Sequence, residues 1–379
     1  MKFEFATAAR IVFGRGAIAD LPKLARELGG RALLVTGRNT ERAAAVRSAL
    51  DCEVFSVYGE PTVEIVRRGV QAAHNCGCDL AIGFGGGSAV DAAKAIAALA
   101  ANSGDVLDYL EVVGHGRTIE QTPLPLVAIP TTAGTGAEVT RNAVIGSPEH
   151  GVKASLRSPW MLAKVALIDP ELTLDVPPHV TASTGIDTLT QLIEPYVSVR
   201  ANAMTDLFCI EGLKRAANSL ERVCRDGRDM DAREAMAFAA LLSGLALANA
   251  GLGAVHGFAS PLGGMLEAPH GALCAAVLPH ATAVNIRALG EREPEGAPLR
   301  RYGEIARILT GRSEAGPEDG AVWIAELCEK LAVPNLRHYG LDQGQIPELV
   351  EKAAQASSMK ANALPLTREE LTEIAERAL

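Results

Sequence analysis

The sequence predicts two architectures in succession: an α/β half with a parallel sheet over residues 1–180, and an all-helical half over 181–379. Three observations carry this. Short apolar runs alternate with helical stretches as far as residue 168, the pattern of βαβ units. Two of those runs end in loops of glycine and threonine, at 83–88 and 131–138. In open α/β sheets, ligands bind outside the carboxyl ends of the strands. Beyond residue 181, strand candidates give way to one helical stretch after another.

Residues 3–13 mix Phe, Ile and Val ahead of Gly14 and Gly16, which suggests a short β element and a turn. Residues 17–28 are periodic enough for a helix, stopped by Gly29-Gly30. Ala32-Leu33-Leu34-Val35-Thr36 is a continuous apolar run, the mark of a buried parallel strand. A helix over 41–50, a strand over 52–57, a helix over 63–75 and a strand over 80–83 follow.

The run then enters Gly83-Phe84-Gly85-Gly86-Gly87-Ser88-Ala89-Val90-Asp91, ahead of an alanine-rich helix over 92–101. A strand, a tight glycine turn and a helix start point backbone N–H groups at an anion, usually a phosphate. A Cβ would block that approach. Ser88 and Asp91 fit a capping box for the helix. A merely flexible loop is the plain alternative, and the third glycine of a G-x-G-x-x-G fingerprint is replaced by Ala89 or Val90. The strand over 126–129 ends in a second small-residue loop, Pro130 to Glu138. Two such loops at one sheet edge suit a single nucleotide, although threonine clusters also simply make turns. Residues 165–168 read as the last strand.

The helical half reads as 183–199, 203–223, 231–252, 270–288, 299–310, 318–332, 346–358 and 367–378, the last opened by a Thr367–Glu370 capping box. A cleft between the halves is the default ligand site. The net charge of −9, with no basic cluster, argues against nucleic acid as a partner. No uninterrupted apolar run reaches the ~18 residues of a membrane span, and Leu241 to Val255 comes nearest. Met1-Lys2-Phe3-Glu4 is no signal peptide. Seven scattered cysteines, with Cys76 and Cys78 one residue apart, suggest a cytoplasmic protein with reduced, mostly structural thiols.

A second constellation lies in the helical half. Asp187 and Gln191 are four apart and share a helix face. His256 and His270 follow, with Gly263-Gly264 between them. One carboxylate and two imidazoles suit a divalent metal such as Zn²⁺ or Fe²⁺, and Gln191 offers an amide oxygen as a weaker fourth ligand. Each has a plainer role: Thr184 to Asp187 is itself a capping box, His256 suits a core histidine, and His270 after Pro269 suits a helix start.

These blocks resemble the iron-containing (group III) alcohol dehydrogenase family over essentially the full length, with similarity to maleylacetate reductases. The match rests on Gly85-Gly86-Gly87-Ser88 with Asp91 and Lys94, on Pro130 through Thr140, on Thr184-Gly185-Ile186-Asp187-Thr188-Leu189-Thr190, and on His256 through Gly264 with Pro269-His270-Gly271. The resemblance implies a dehydroquinate synthase-like architecture, NAD or NADP, a divalent iron or zinc ion, and a homodimer. Mapped on this chain, it implies that Gly86, Gly87 and Ser88 hold the pyrophosphate and that Thr131, Thr132 and Thr135 contact the phosphates and the nicotinamide ribose side. Asn142 and Lys153 fall at cofactor-contacting positions, and Asp187, Gln191, His256 and His270 at the four metal-ligand positions. Two positions depart from the pattern: Gln191 and Ser260 stand where the family usually carries histidine, the latter at a position associated with proton relay. At the end of the first buried strand, Gly37 and Arg38 replace the acidic residue of NAD-restricted members, which favours NADP(H) or dual use.

The expected activity is reversible hydride transfer between nicotinamide and an alcohol or carbonyl carbon, with the metal polarising the oxygen and Asp187, His256, His270 and Ser260 as the catalytic set. The alternatives are a metal-free reductase of an unsaturated oxo-acid, a dehydroquinate synthase-like lyase, and a nucleotide-binding protein without turnover.

Overall fold

The computed structural model describes residues 2–379. The chain forms two compact units, Ala6–Asp175 and Val176–Leu379, the second of which includes the segment up to Phe5.

In the first unit, the continuous apolar runs at 32–36, 80–85, 126–130 and 165–168 become fully buried strands. The strands are β1 (Ile11–Phe13), β2 (Ala32–Thr36), β3 (Cys52–Ser56), β4 (Leu80–Gly85), β5 (Leu126–Pro130), β6 (Asn142–Ser147), β7 (Val152–Arg157) and β8 (Val165–Ile168). Six of them make one parallel sheet in the order β1-β8-β5-β4-β2-β3. Helices α1 (Leu21–Arg26), α2 (Ala44–Ala49), α3 (Val63–Cys76), α4 (Gly87–Ala100) and α5 (Val106–Tyr109) connect them. From β2 the chain moves outward to β3, then returns to place β4 on the other side of β2. The direction of winding therefore reverses between β2 and β4. That is where an open α/β sheet leaves a crevice at its carboxyl edge.

The sequence reading missed the antiparallel β6–β7 pair. It alternates buried and open positions, with Ala143, Ile145, Ala154 and Leu156 inside. The reading also placed a capping box at Ser88 and Asp91. Instead α4 starts at Gly87 with Gly86 as its N-cap and no side-chain cap. Asp91 points elsewhere: its Oδ2 accepts from the backbone N–H of Val144 at 3.0 Å. Lys94 is wholly buried and donates to Thr140 Oγ1 and the Asn142 carbonyl, both at 2.8 Å. Two side chains of α4 thus tie the glycine-turn helix to the β6 end of the hairpin.

The expectation of reduced thiols also fails at one place, because Cys76 and Cys78 are joined by a disulfide. Gly77, left-handed at φ 64°, turns the chain back at the end of α3. This brings the two Cα atoms to 5.3 Å, within disulfide reach.

The second unit is helical: α6 (Pro178–Val197), α7 (Ala203–Arg225), α8 (Met230–Ala250), α9 (Ala254–Met265), α10 (His270–Arg292), α11 (Ala297–Thr310), α12 (Pro317–Lys330), α13 (Ile346–Gln355) and α14 (Arg368–Ala378). The sequence reading left α9 out, since Gly257, Pro261, Gly263 and Gly264 give it poor intrinsic propensity. Tertiary contacts override this, with Val255, Phe258, Ala259 and Leu262 buried. The Thr367–Glu370 capping box forms as read. Thr184, by contrast, lies inside α6 and bonds back to the Val180 carbonyl, so Asp187 is not a cap. Helix α10 is long and apolar enough to cross a membrane, but 78% of that stretch is buried inside the protein.

Glu138 gives the first unit a measurable signature. Burial pushes its carboxyl up to about 7 from the ordinary 4.5, while a backbone hydrogen bond and Lys94 pull the other way. An acid with a raised folded-state pKa binds more protons folded than unfolded between those values, so stability falls as pH rises through that window. Glu138→Gln removes this slope. Between pH 4.5 and 7, the wild type should lose roughly 3 kcal/mol relative to the variant in urea unfolding. Parallel stability profiles overturn the assignment.

Candidate functional site

In the first unit, the two glycine and threonine loops leave neighbouring strands. Gly85 and Pro130 are register partners of β4 and β5, and the Thr131 N–H donates to the Gly85 carbonyl at 2.8 Å. A Cβ on Gly87 would lie 2.8 Å from Thr135 Cγ2, and one on Gly86 would lie 3.5 Å from Thr132 Oγ1. The loops therefore meet as the sequence suggested, and at Gly87 the approach is closer than a Cβ would allow. The backbone N–H of Gly37, at the end of β2, would lie 3.5 Å from a Cβ on Gly85, so it borders the same turn. Thr36 Oγ1 is buried there without a hydrogen-bond partner. Backbone, small hydroxyls and the α4 N-terminus at a winding reversal fit the diphosphate of a dinucleotide.

The remaining residues expected at this site are more dispersed. Ser88 is half-buried in the first turn of α4, and Arg38 is exposed with its guanidinium 6.0 Å from the Tyr58 ring centroid. Asn142 lends its carbonyl to Lys94, and Lys153 is ion-paired with Glu60.

In the second unit, three helices bring Asp187 (α6), His256 (α9) and His270 (α10) together. His256 Nε2 lies 3.3 Å and His270 Nε2 4.0 Å from Asp187 Oδ1. Asp187 is 1% exposed, and its Oδ1 accepts no hydrogen bond. The two imidazole nitrogens are the near partners of that oxygen, and a cation bound among the three would satisfy it in place of their protons.

Two members of this site went unread in the sequence. Glu194, two turns beyond Asp187 on α6, accepts from His256 Nδ1 through Oε2 and from the Val255 N–H through Oε1, both at 2.7 Å. That bond fixes the tautomer and leaves Nε2 facing the cluster, the usual support of a metal-bound histidine. Cys274, one turn after His270, places Sγ 3.6 Å from His270 Nε2 and 3.8 Å from His256 Nε2. One donor atom from each of Asp187, His256, His270 and Cys274 lies within 4.8 Å of all the others. The His-x-x-x-Cys spacing was the available signal.

Gln191 is buried, with its carboxamide hydrogen-bonded to Ser243 (Oε1 to Oγ 2.9 Å). Ser260 is exposed, one turn after His256 on α9. The His270 side chain is 39% exposed while its partners are sealed, so the cluster opens on the His270 side.

Charge in the cluster is tightly coupled. Burial works against the ionised Asp187, yet His256 and His270 hold its carboxyl below the ordinary range. Burial also opposes a charged His256, but Cys274, Glu194 and Asp187 keep that imidazole well above its ordinary value. Cys274 and then Asp187 raise His270, against burial, to about 9. A metal ion entering the cluster displaces such protons.

The junction of α6 and α10 sets the spacing. A Cβ on Gly271 would lie 2.6 Å from the Ser183 carbonyl oxygen and 2.9 Å from its carbon. Both are backbone atoms and cannot swing aside. Gly271→Ala should push the first turn of α10, with His270, away from Asp187. The expected cost is about 1–3 kcal/mol of stability and roughly tenfold or more in metal affinity, read by thermal unfolding and by zinc titration against a chromophoric chelator. Wild-type affinity in a folded variant contradicts this account of the spacing.

Comparison with known proteins agrees with both halves of this picture. Residues 8–170 match the family model described as iron-containing alcohol dehydrogenase, and residues 181–379 match that of the Fe-containing alcohol dehydrogenase family, C-terminal. The chain is 34% identical to long-chain-alcohol dehydrogenase 1 of Geobacillus thermodenitrificans, over 98% of this chain and 97% of that one. It is 33% identical to the NAD-dependent methanol dehydrogenase of Bacillus methanolicus, over 97% of each. Among solved structures, a 1,3-propanediol oxidoreductase superposes with a TM-score of 0.91 at 31% identity, covering all of both chains.

Proposed function

Because the chain belongs to the iron-containing alcohol dehydrogenase family, we propose that it interconverts an alcohol and an aldehyde or ketone by hydride transfer with NAD or NADP. The observation that carries this reading is the buried, unbonded Oδ1 of Asp187 facing two imidazole nitrogens. A divalent iron or zinc ion bound there supplies Lewis acidity toward the substrate oxygen. The protein's own groups do the rest. Asp187, His256 and His270 hold the charge in place, with Gln191 the fourth ligand that the family resemblance implies. Glu194 keeps His256 in one tautomer, and Ser260 passes the alcohol proton towards water.

The residues 1–180 form the dinucleotide domain in this reading, and 181–379 the metal and substrate domain. Gly86, Gly87 and Ser88 hold the diphosphate; Thr131, Thr132 and Thr135 line it; Asn142 and Lys153 complete the polar contacts. Gly37 and Arg38 decide between coenzymes: there is no carboxylate to repel a 2′-phosphate and one guanidinium to meet it. NADP(H) is therefore accepted along with NAD(H). A homodimer acting on a small alcohol or carbonyl compound completes the proposal on the strength of the family resemblance; a cytoplasmic location rests on the scattered cysteines, and the exclusion of nucleic acid and membrane as partners on the net charge of −9 and the lack of a long uninterrupted apolar run.

Two experiments test the reading. Asp187→Asn keeps the shape of the side chain and removes its charge. With a panel of aldehydes and NAD(P)H, kcat/KM should fall at least about 100-fold while coenzyme binding, followed by fluorescence, is unchanged. A wild-type rate in this variant overturns the metal role. Gly37→Asp restores an acidic group at the end of β2 and should lower kcat/KM for NADPH roughly tenfold or more relative to NADH. An unaltered coenzyme ratio removes Gly37 from the specificity argument.

A further inference from the structure

The metal set proposed above includes an amide, and amide oxygen is a poor ligand for iron or zinc beside two imidazoles. Gln191 has other work: its carboxamide is buried and bonded to Ser243 of α8. Cys274 is the better donor on three grounds. It is buried, so its sulfur is shielded from solvent. It lies one turn after His270, so both side chains leave the same face of α10. Its sulfur stands 3.6 and 3.8 Å from the two Nε2 atoms. Donors around a tetrahedral zinc, with bonds of about 2.0–2.3 Å, lie about 3.3–3.6 Å from one another. The four donors here are separated by no more than 4.8 Å, and His256 Nε2 lies 3.3 Å from Asp187 Oδ1.

We propose that Cys274 is the fourth protein ligand, as a thiolate, giving the set Asp187, His256, His270 and Cys274 with Gln191 outside it, and that the set favours zinc over ferrous iron. On binding, the thiol loses its proton to solvent as the metal–sulfur bond forms. Thiolate is a soft ligand, and zinc lies above iron(II) in affinity for nitrogen and sulfur sites. The inference rests on the reading that the cluster binds metal. The remaining free cysteines, Cys52, Cys209, Cys224 and Cys328, are not part of the cluster.

Cobalt(II) tests this without reference to turnover. Metal-free protein is loaded with one equivalent of Co²⁺, and its absorption spectrum is recorded. The expected result is a set of visible ligand-field bands together with a near-ultraviolet thiolate-to-cobalt charge-transfer band. Cys274→Ser should keep the visible bands, lose the charge-transfer band and bind zinc at least about tenfold more weakly. Circular dichroism checks its fold. In a second measurement on the wild type alone, X-ray absorption at the zinc edge of the zinc-loaded protein should show one sulfur scatterer at about 2.3 Å among nitrogen and oxygen neighbours, and a shell without sulfur overturns the thiolate ligand. Cobalt bound with visible bands but no charge-transfer band, or a band that survives in Cys274→Ser, overturns the thiolate ligand and leaves the metal-dependent reading standing. Failure of the wild type to take up cobalt or zinc overturns both.

Discussion

The helical unit is arranged around a carboxylate that its own chain leaves incomplete. Asp187 sits in the middle of a largely buried helix, and its Oδ1 is sealed from water without a hydrogen bond. The His256 and His270 imidazoles compensate for its burial and hold its carboxyl below the ordinary range. The surrounding fold is built to keep it so. Glu194, seven residues on, faces the same way as Asp187 and holds His256 by its other nitrogen. It also fixes the start of α9 through the Val255 N–H, while Asn362 accepts from the adjacent Ala254 N–H at 3.1 Å. A short, proline- and glycine-containing helix is thereby anchored at its first turn, where its functional side chain lies.

The α/β unit solves a different problem with the same economy. Its two glycine and threonine loops approach at Gly87 more closely than a side chain permits. Such a turn has little packing of its own. Rigidity is supplied from behind by Asp91 and Lys94, which link the helix to the β6–β7 pair through three hydrogen bonds to Thr140, Asn142 and Val144. Burial draws the Lys94 ammonium below its ordinary pKa, while Asp91 and Glu138 counter it. The motif residues around the glycines thus divide into those that leave room for a ligand and those that hold the room open.

Much of this was legible in the sequence because strong local signals agreed with the fold. The parallel strands announced themselves as continuous apolar runs such as Ala32 to Thr36. The long helices of the second unit had no competing strand pattern. What escaped had weak or misleading local signals. The hairpin strands are short and mixed, with Val144 and Gly146 at open positions of β6 and Lys153 and Arg157 at open positions of β7, and they surround a Pro148 to Gly151 turn. Helix α9 forms against its propensity. The Ser88–Asp91 spacing satisfied a capping rule, but Asp91 is drawn to the hairpin. In the buried cluster of the helical unit, Asp187, His256 and His270 stand out in the sequence because few residue types bind metal, and the structure brings them together. Glu194 and Cys274 were not, since a lone glutamate or cysteine on a helix is ordinarily a surface or core residue. Only the packing of α6, α9 and α10 distinguishes these two from the others.

The proposed exchange of Gln191 for Cys274 would move a ligand set within a fixed helical frame. Both sit one turn from a donor on the same helix, Gln191 after Asp187 and Cys274 after His270. Either position can reach a common centre, because residues four apart on a helix share a face. A carboxamide gives up little by turning from a metal to a hydroxyl, and the Ser243 contact links α6 to α8 in the core. A thiol gains most by turning the other way, since a buried sulfur makes only weak hydrogen bonds but a strong bond to a borderline-soft cation. The exchange leaves the backbone untouched, keeps the donor count at four, and alters the softness of the set. On this proposal the identity of the bound ion would be decided by side chains one helical turn apart, on a scaffold shared with proteins 33–34% identical to this one.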